Sequence, residues 1–510
     1  MAKISCSFPV NRVEGDLTLQ IDFENDTVTE ARSVGTLYRG FEKIMKGRGA
    51  LDGLVITPRI CGICSLSHLT AASAALDNLC GTTPPDNALR IKNITGMMEM
   101  IQSDIRQSVL MFMPDFVNPA YASNPLYVEA VKRYSPLRGA RCVSAVKNSA
   151  TIVEIIAILG GQWPHTSFMV PGGVTNVPTI HDIVQCRHLI VRCMKSYEEQ
   201  ILGCSVERFN NISTKQELDE WLASSHEHSE SDMGFLIRFG RSIGLDTIGN
   251  SYGNFLSYGA FDIPADSDVS PRHGREKLIR SGYAEGTNVM DFDQSYVAEA
   301  ISHSWFNGYE GARHPFDGMT EPEASGEEGK KYSWVKAPRY NTKPVETGPL
   351  AQMVINGIPL FTELVGTEGS SALTRQMARL ARPAKLFPKA LAWIDEMAKL
   401  LGSSQFYTPY GEIKDGRGMG LTDAARGALG HWIIVEDKTI KKYQIITPTA
   451  WNGSPRDDAG LPGAWEKALE GIKVADTDNP IEIGHIIRSF DPCLVCAVHR
   501  LESGKKIFIC

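Results

Sequence analysis

Residues 57–68, TPRICGICSLSH, and residues 489–499, SFDPCLVCAVH, each carry a Cys-x-x-Cys pair, Cys61/Cys64 and Cys493/Cys496, near opposite ends of a 510-residue chain. A zinc ribbon brings its second pair within roughly a few tens of residues, because its metal staples one small loop-rich unit. Pairs this far apart share a metal only if the whole chain folds to bring its ends together. The reading is therefore a fold closed by four thiolates. Such soft donors suit zinc, copper(I), iron-sulfur clusters and low-valent nickel or iron, and spacing alone does not choose among them. Each pair is followed three or four residues later by a histidine, His499 or His68, placed to donate a hydrogen bond beside the ligand sulfurs.

Working outward, 43% hydrophobic and 22% charged residues suit a large buried core that needs neither disulfides nor metal for its stability. A net charge of −7 and no long basic run exclude a nucleic-acid binder. The apolar stretch from Ile152 to Leu159 is interrupted by Glu154 and is too short for a membrane span, and MAKISCSFPV lacks the long apolar region of a signal peptide. These features predict a cytoplasmic protein whose membrane contact, if any, comes through partners. Eleven cysteines, an odd number, fit a reducing compartment. Cys6, Cys80, Cys142, Cys186, Cys193 and Cys204 read as free thiols in apolar or helical settings, and Cys510 ends the chain.

The pattern predicts an α+β fold, mostly helical, with a central helix bundle, peripheral small sheets and long wrapping loops. LTLQIDF and TVTEARSVG alternate apolar and polar residues about Asn25-Asp26, which predicts a hairpin in a small sheet over about 1–35. Helical spacing runs over 66–80, 88–114, 124–134, 141–160 and 180–208, and again over 368–382 and 385–402, so the helical core spans about 60–208 and 368–402. Residues 209–310 read as a peripheral lobe, with SSHEHSESD solvated and SYGNFLSYGAFD strand-like. The Gly/Pro-rich stretch 307–349 is too long for an ordinary connection and wraps the surface or lines a site. Strands in GHWIIVEDKTIKKYQIITP and a helix near 480–489 lead through a metal-site segment, about 410–499, to the second cysteine pair. All of this is one domain over 1–510.

RICGIC followed by His68, and DPCLVC followed by His499, resemble the two signature motifs of the large subunit of nickel-iron hydrogenases. NRVEGD at 11–16, LYRGFEKIMKGR at 37–48, KYSWVKAPRY at 331–340, ARGALGHW at 425–432 and TPTAWNGSPRD at 447–457 occur in the family's order, so the resemblance spans nearly the whole chain. It implies a heterodinuclear centre that splits dihydrogen into a proton and a hydride. Nickel would be held by all four cysteines, with Cys64 and Cys496 shared with an iron that carries carbon monoxide and two cyanides. Cys493 would accept the proton and Glu14 would pass it on. Arg426 would overhang the metals and hydrogen-bond one cyanide, Thr449 the other, and Asp491 would hold Arg426 in place. Glu42, His499 and the backbone carbonyl near Ile445 resemble the ligands of a magnesium site.

Two departures, Asp16 where many members have histidine and Ala425 where proline is common, resemble the cyanobacterial-type uptake and hydrogen-sensing branch. An aspartate of the family near the active site matches Asp104, with Asp115 of MFMPDF as the competing match. Residues 500–510, after His499, either resemble an extension removed by an endopeptidase among the maturation proteins or, since Arg500 departs from the usual residue after the cut, belong to a member that matures without cleavage. No further cysteine cluster serves as an electron relay, so the resemblance implies a small subunit carrying iron-sulfur clusters, in assemblies up to a dimer of heterodimers. The activity expected is hydrogen uptake. The alternative is a hydrogen-sensing subunit that signals to a kinase. A relative without the metal is disfavoured by retention of all four cysteines.

Overall fold

The computed structural model describes residues 3–267, 277–324, 329–402 and 405–497. Strands β1 (Lys3–Pro9), β2 (Leu17–Glu24) and β3 (Thr27–Gly35) form an antiparallel sheet in that order. Asn25 and Asp26, with φ of 51° and 60°, form the two-residue turn that the pattern predicts. Leu17, Leu19, Ile21 and Phe23 point to one buried face, as the period of two requires.

The helical core consists of α1 (Ser65–Cys80), α2 (Asp86–Arg106), α3 (Ala140–Gly160), α4 (Ile180–Tyr197) and α5 (Ala372–Leu400), where α2 packs on α3 and α5, and α4 on the same two helices. The fold is α+β and helix-rich, as expected. α2 does not run on as an α-helix to 114: it widens into a π-turn over Gln107–Phe112 and tightens into a 3-10 turn over Met113–Val117. By length and composition α3 could cross a membrane, contrary to the sequence estimate, yet one face of it packs on α2 and α4. α5 is a single 29-residue helix where two were expected, with Pro383 and Pro388 inside it. An interior proline costs about 3 kcal/mol. Burial of Leu380, Phe387, Trp393 and Ile394 along the same helix outweighs that cost.

SSHEHSESD is solvated only on one side, at Ser224, His226 and Glu227. It forms a short helix, His226–Glu230, whose His228 is buried and stacked on Trp221, and it ends at a buried Asp232 that accepts a 2.6 Å bond from Tyr134 Oη. The next helix, Asp232–Ser242, buries Phe235 and Phe239 and packs on α5. Residues 307–349 divide between the two expectations: the described residues of 307–330 run mostly exposed over the surface, whereas from Tyr332 on the chain is largely buried, with Trp334 and Lys336 in the interior and Ala337–Tyr340 paired antiparallel with Val297–Ala300.

A second sheet contains β4 (Gly416–Ala424), β5 (Gly427–Glu436) and β6 (Thr439–Ile446). α1 lies directly on β4, where a Cβ at Gly420 would stand 1.9 Å from the Ala71 carbonyl oxygen. Only glycine lets the cysteine-bearing helix approach this closely. The β4–β5 hairpin turns through two residues, Ala425 and Arg426, which puts Arg426 at its tip.

Candidate metal centre

Two loops build the centre. In the first, a 3-10 turn, Thr57–Arg59, precedes Cys61, and Cys64 takes the N-cap position of α1 without making a side-chain cap bond. Glu99 of α2 caps the helix instead, accepting from Leu66 N (2.9 Å), Ser67 N (2.9 Å) and Ser67 Oγ (2.7 Å). Cys64 Sγ is thereby left free to face the other sulfurs. In the second loop, the helix α6 (Ile481–Ser489) is followed by Asp491, at φ 57°, and Pro492. Residues 492–494 then run beside Glu14, with Glu14 N donating to Pro492 O (3.2 Å) and Leu494 N to Glu14 O (2.7 Å). Arg39 bridges the loops, its guanidinium donating to the carbonyls of both Ile60 and Val495.

The four sulfurs lie within 4.8 Å of one another, all buried. Cys61 and Cys493 are 3.6 Å apart, Cys64 and Cys496 3.2 Å, and Cys493 and Cys496 2.9 Å. These separations exceed a disulfide's length of about 2.05 Å, and all four cysteines are free. Burial and the neighbouring sulfurs push the Cys496 thiol up while those same sulfurs hold Cys61 down, so the set shares its protons unevenly and full deprotonation calls for a thiophilic cation. Arg426 Nη1 is buried with no hydrogen-bond partner, and Thr449 Oγ1 accepts from Cys493 N (3.0 Å), which leaves its hydroxyl hydrogen for another acceptor. Four sulfurs with two such donors beside them fit a metal that carries small hydrogen-bond-accepting ligands.

Asp491 holds Arg426 through Nη2 (3.0 Å to Oδ1), and its backbone carbonyl accepts from Nε (3.0 Å). A charge ladder continues from Asp491 to Arg379 (3.2 Å), then to Asp104 (3.7 Å), which Arg382 grips with two bonds of 2.6 and 2.8 Å. Of the two aspartates in question, Asp104 therefore joins the centre's network, while Asp115 belongs to a separate cluster. Burial alone would lower the Arg426 pKa; Asp491 and the cysteines outweigh it and drive it up, so its charge is permanent. Glu14 is only half-buried, and its carboxyl is raised first by burial and then by Cys61.

Arg379, Arg382, Arg39 and Glu99 are absent from the sequence reading. A signal existed for the first two: Arg375, Arg379 and Arg382 fall on one helical face inside the apolar run ALTRQMARLARPA. His68 Nδ1 bonds to His431 Nε2 (3.1 Å), and His431 Nδ1 to Tyr443 Oη (2.9 Å). Burial pushes His68 down to about 4, so the ring is neutral at pH 7. At the expected magnesium site, Glu42 accepts from Ile445 N (2.8 Å), Lys336 Nζ (3.4 Å) and the Thr320 hydroxyl. Beside it lies a cavity of about 30 Å³ lined by Glu42, Glu299, Lys336, Ile445 and Cys496. Glu299 Oε2 is buried there without a hydrogen-bond partner, so the oxygen donors and the space fit a small hard cation. His499 and the extension 500–510, with Cys510, lie outside the described residues.

The family described as nickel-dependent hydrogenase matches residues 39–132 and 137–499. The chain is 30% identical to the periplasmic NiFeSe hydrogenase large subunit of Desulfomicrobium baculatum, over 98% of this chain and 95% of that one. It is 28% identical to the uptake hydrogenase large subunit of Rhodobacter capsulatus, over 97% and 95%. Among solved structures, the Ni-Fe-Se hydrogenase from D. vulgaris Hildenborough in the reduced state is similar with a TM-score of 0.81 at 28% identity, over 98% of this chain and 100% of that one. The cytoplasmic location expected from composition is overturned by the first of these relatives, which is periplasmic. A leader can be carried by another chain of a complex, so the make-up of residues 1–10 does not decide the compartment.

Proposed function

The chain belongs to the nickel-dependent hydrogenase family, and from that premise we propose how its residues divide the work of an uptake hydrogenase large subunit. The carrying observation is the buried group of four sulfurs facing an unpartnered Arg426 Nη1. A nickel-iron pair held by Cys61, Cys64, Cys493 and Cys496, with carbon monoxide and cyanides on iron, supplies the Lewis acidity and redox range for heterolytic cleavage of dihydrogen.

Cys493 Sγ takes up the proton. Glu14, whose segment is hydrogen-bonded to the backbone on either side of Cys493, passes that proton outward. Burial raises its pKa, which favours taking up and passing on a proton over holding a fixed charge. Arg426 and Thr449 donate hydrogen bonds to the cyanides, and Asp491 keeps the Arg426 fork in place. Glu42 and the Ile445 carbonyl, with His499, hold magnesium in the adjoining cavity. Among the described residues no second cluster of cysteine ligands is present, so electrons pass to a small subunit with iron-sulfur clusters.

The test is deuterium–water isotope exchange and dihydrogen-dependent dye reduction by the purified complex, normalised to nickel. Wild-type protein is expected to do both. Glu14→Gln is expected to keep its nickel while exchange falls by about two or more orders of magnitude, the usual worth of a positioned proton carrier. Undiminished exchange in that variant would remove Glu14 from the proton path. No feature of the described residues favours the hydrogen-sensing alternative.

A further inference from the structure

A second buried ion cluster takes no part in the chemistry above. Asp115, in the 3-10 turn Met113–Val117, accepts from Arg488 through Nε (2.7 Å to Oδ2) and Nη2 (2.8 Å to Oδ1), and from Arg12 Nη2 at Oδ1. Arg488 Nη1 reaches on to Asn11 O (3.1 Å) and Asn11 Oδ1 (3.2 Å), and Arg12 Nη1 donates to Met111 O (2.9 Å). The Arg488–Asp115 pair ties α6 to the turn that follows α2, and the other bonds connect those two elements with residues 11 and 12, two or three positions before Glu14. Arg12 has φ 56°, a left-handed backbone that costs a non-glycine residue of order 1 kcal/mol and persists only where its surroundings impose it. On the far side of Glu14, Gly15 has φ 85°, and a Cβ there would stand 2.9 Å from Val495 N. Residues 11–15 are thus pinned by side-chain ion pairs at one end and by backbone bonds to the second cysteine loop at the other.

We propose that Arg12, Asp115 and Arg488 form a clamp that positions Glu14 against the cysteine centre. They are positioning residues, and they act on the proton path only through Glu14; in that respect the proposal rests on the reading of Glu14 given above. Removing the clamp leaves the four ligands in place, because Cys61 and Cys64 are set by Glu99 and Arg39, and Cys493 and Cys496 by the Thr449 bond to Cys493 N and the Arg39 bond to Val495 O. It frees the loop that bears the carboxylate. A carrier displaced by about 1 Å loses on the order of a hundredfold in rate.

The experiment uses the purified complex of Asp115→Asn and of Arg12→Gln, each alone and combined with Glu14→Gln. Isotope exchange per nickel is measured together with amide hydrogen exchange of the peptide spanning residues 10–16. Each single variant is expected to keep its nickel, to lose about tenfold to a hundredfold in isotope exchange, and to show faster amide exchange in that peptide. Added to Glu14→Gln, neither is expected to cost anything further, since a clamp acting through Glu14 has nothing left to position. An equal fold-loss in both backgrounds, or unchanged amide protection of residues 10–16, overturns the clamp. The amide measurement holds whatever Glu14 does, whereas undiminished exchange in Glu14→Gln alone overturns the proton-carrier reading instead. Arg12 is 28% exposed at its side chain, so Arg12→Gln carries the test if Asp115→Asn does not accumulate.

Discussion

Arg426 sits at the two-residue tip of the β4–β5 hairpin, with one face of its guanidinium tied to Asp491 and Nη1 unpartnered. A planar fork satisfies both demands at once, and an ammonium does not. Arg426→Lys should therefore retain the metals and the charge while shifting the cyanide infrared bands and lowering dihydrogen oxidation by about tenfold to a hundredfold, the worth of one or two lost charged hydrogen bonds. Unshifted bands with a wild-type rate would show that Nη1 faces nothing of consequence. Cys493→Ser replaces a soft thiolate by a hard and far less acidic hydroxyl. Nickel content and turnover should both be lost, and a variant that kept both would not have Cys493 as a ligand. The four cysteines, Arg426, Asp491 and Glu14 were legible in the sequence because their motifs travel as fixed local strings. Arg379 and Arg382 were not, since an arginine in a helix ordinarily faces water; they became visible only when α5 was packed against Asp104 and Asp491.

At the scale of elements, a buried carboxyl joins the N-terminal sheet to the C-terminal half. Glu466, on the short helix Ala464–Leu469, accepts from Ser33 N of β3 (2.8 Å) and from Tyr332 Oη (3.1 Å). Burial pushes it up to about 8 from 4.5, with Arg456 and Arg339 too weak to reverse this. Between those two values the folded protein keeps a proton that the unfolded chain has released, so this group's contribution to stability falls as pH rises, by at most about 1.4 kcal/mol per pH unit, and levels off above pH 8. Glu466→Gln keeps an acceptor for both donors and cannot ionise. Its apparent Tm should decline less between pH 5 and pH 8 than that of the wild type and exceed it at pH 8; parallel profiles would show that Glu466 is ionised in the fold. Turns and the alternating strands were legible because their signals are local, as at Asn25-Asp26. The single α5 and the buried His228 were not. Prolines at 383 and 388 and a polar run at 224–232 carry local signals that long-range burial against Phe387, Trp393 and Trp221 overrides.

For the molecule as a whole, the two cysteine pairs close the chain on itself. The first pair leads into the helix that lies on the second sheet, and the second runs beside Glu14 near the N-terminus. Charge reinforces this closure: Arg39 and Arg426 face a set of sulfurs that turns anionic when metal binds, and Arg379 and Arg382 back them through Asp491 and Asp104. A metal here does more than fill a pocket; it joins two loops from opposite ends of the chain, so its loss should loosen the centre without unfolding either apolar core. The cytoplasmic expectation fell to a periplasmic relative because composition and net charge carry no address. The most direct test is the infrared spectrum of the natively purified complex between the protein-amide and thiol regions, with nickel and iron measured on the same sample. Carbon monoxide and cyanide bands with one nickel and one iron at the four-cysteine centre are expected; zinc in that centre of a fully matured chain, with no such bands, would contradict the account.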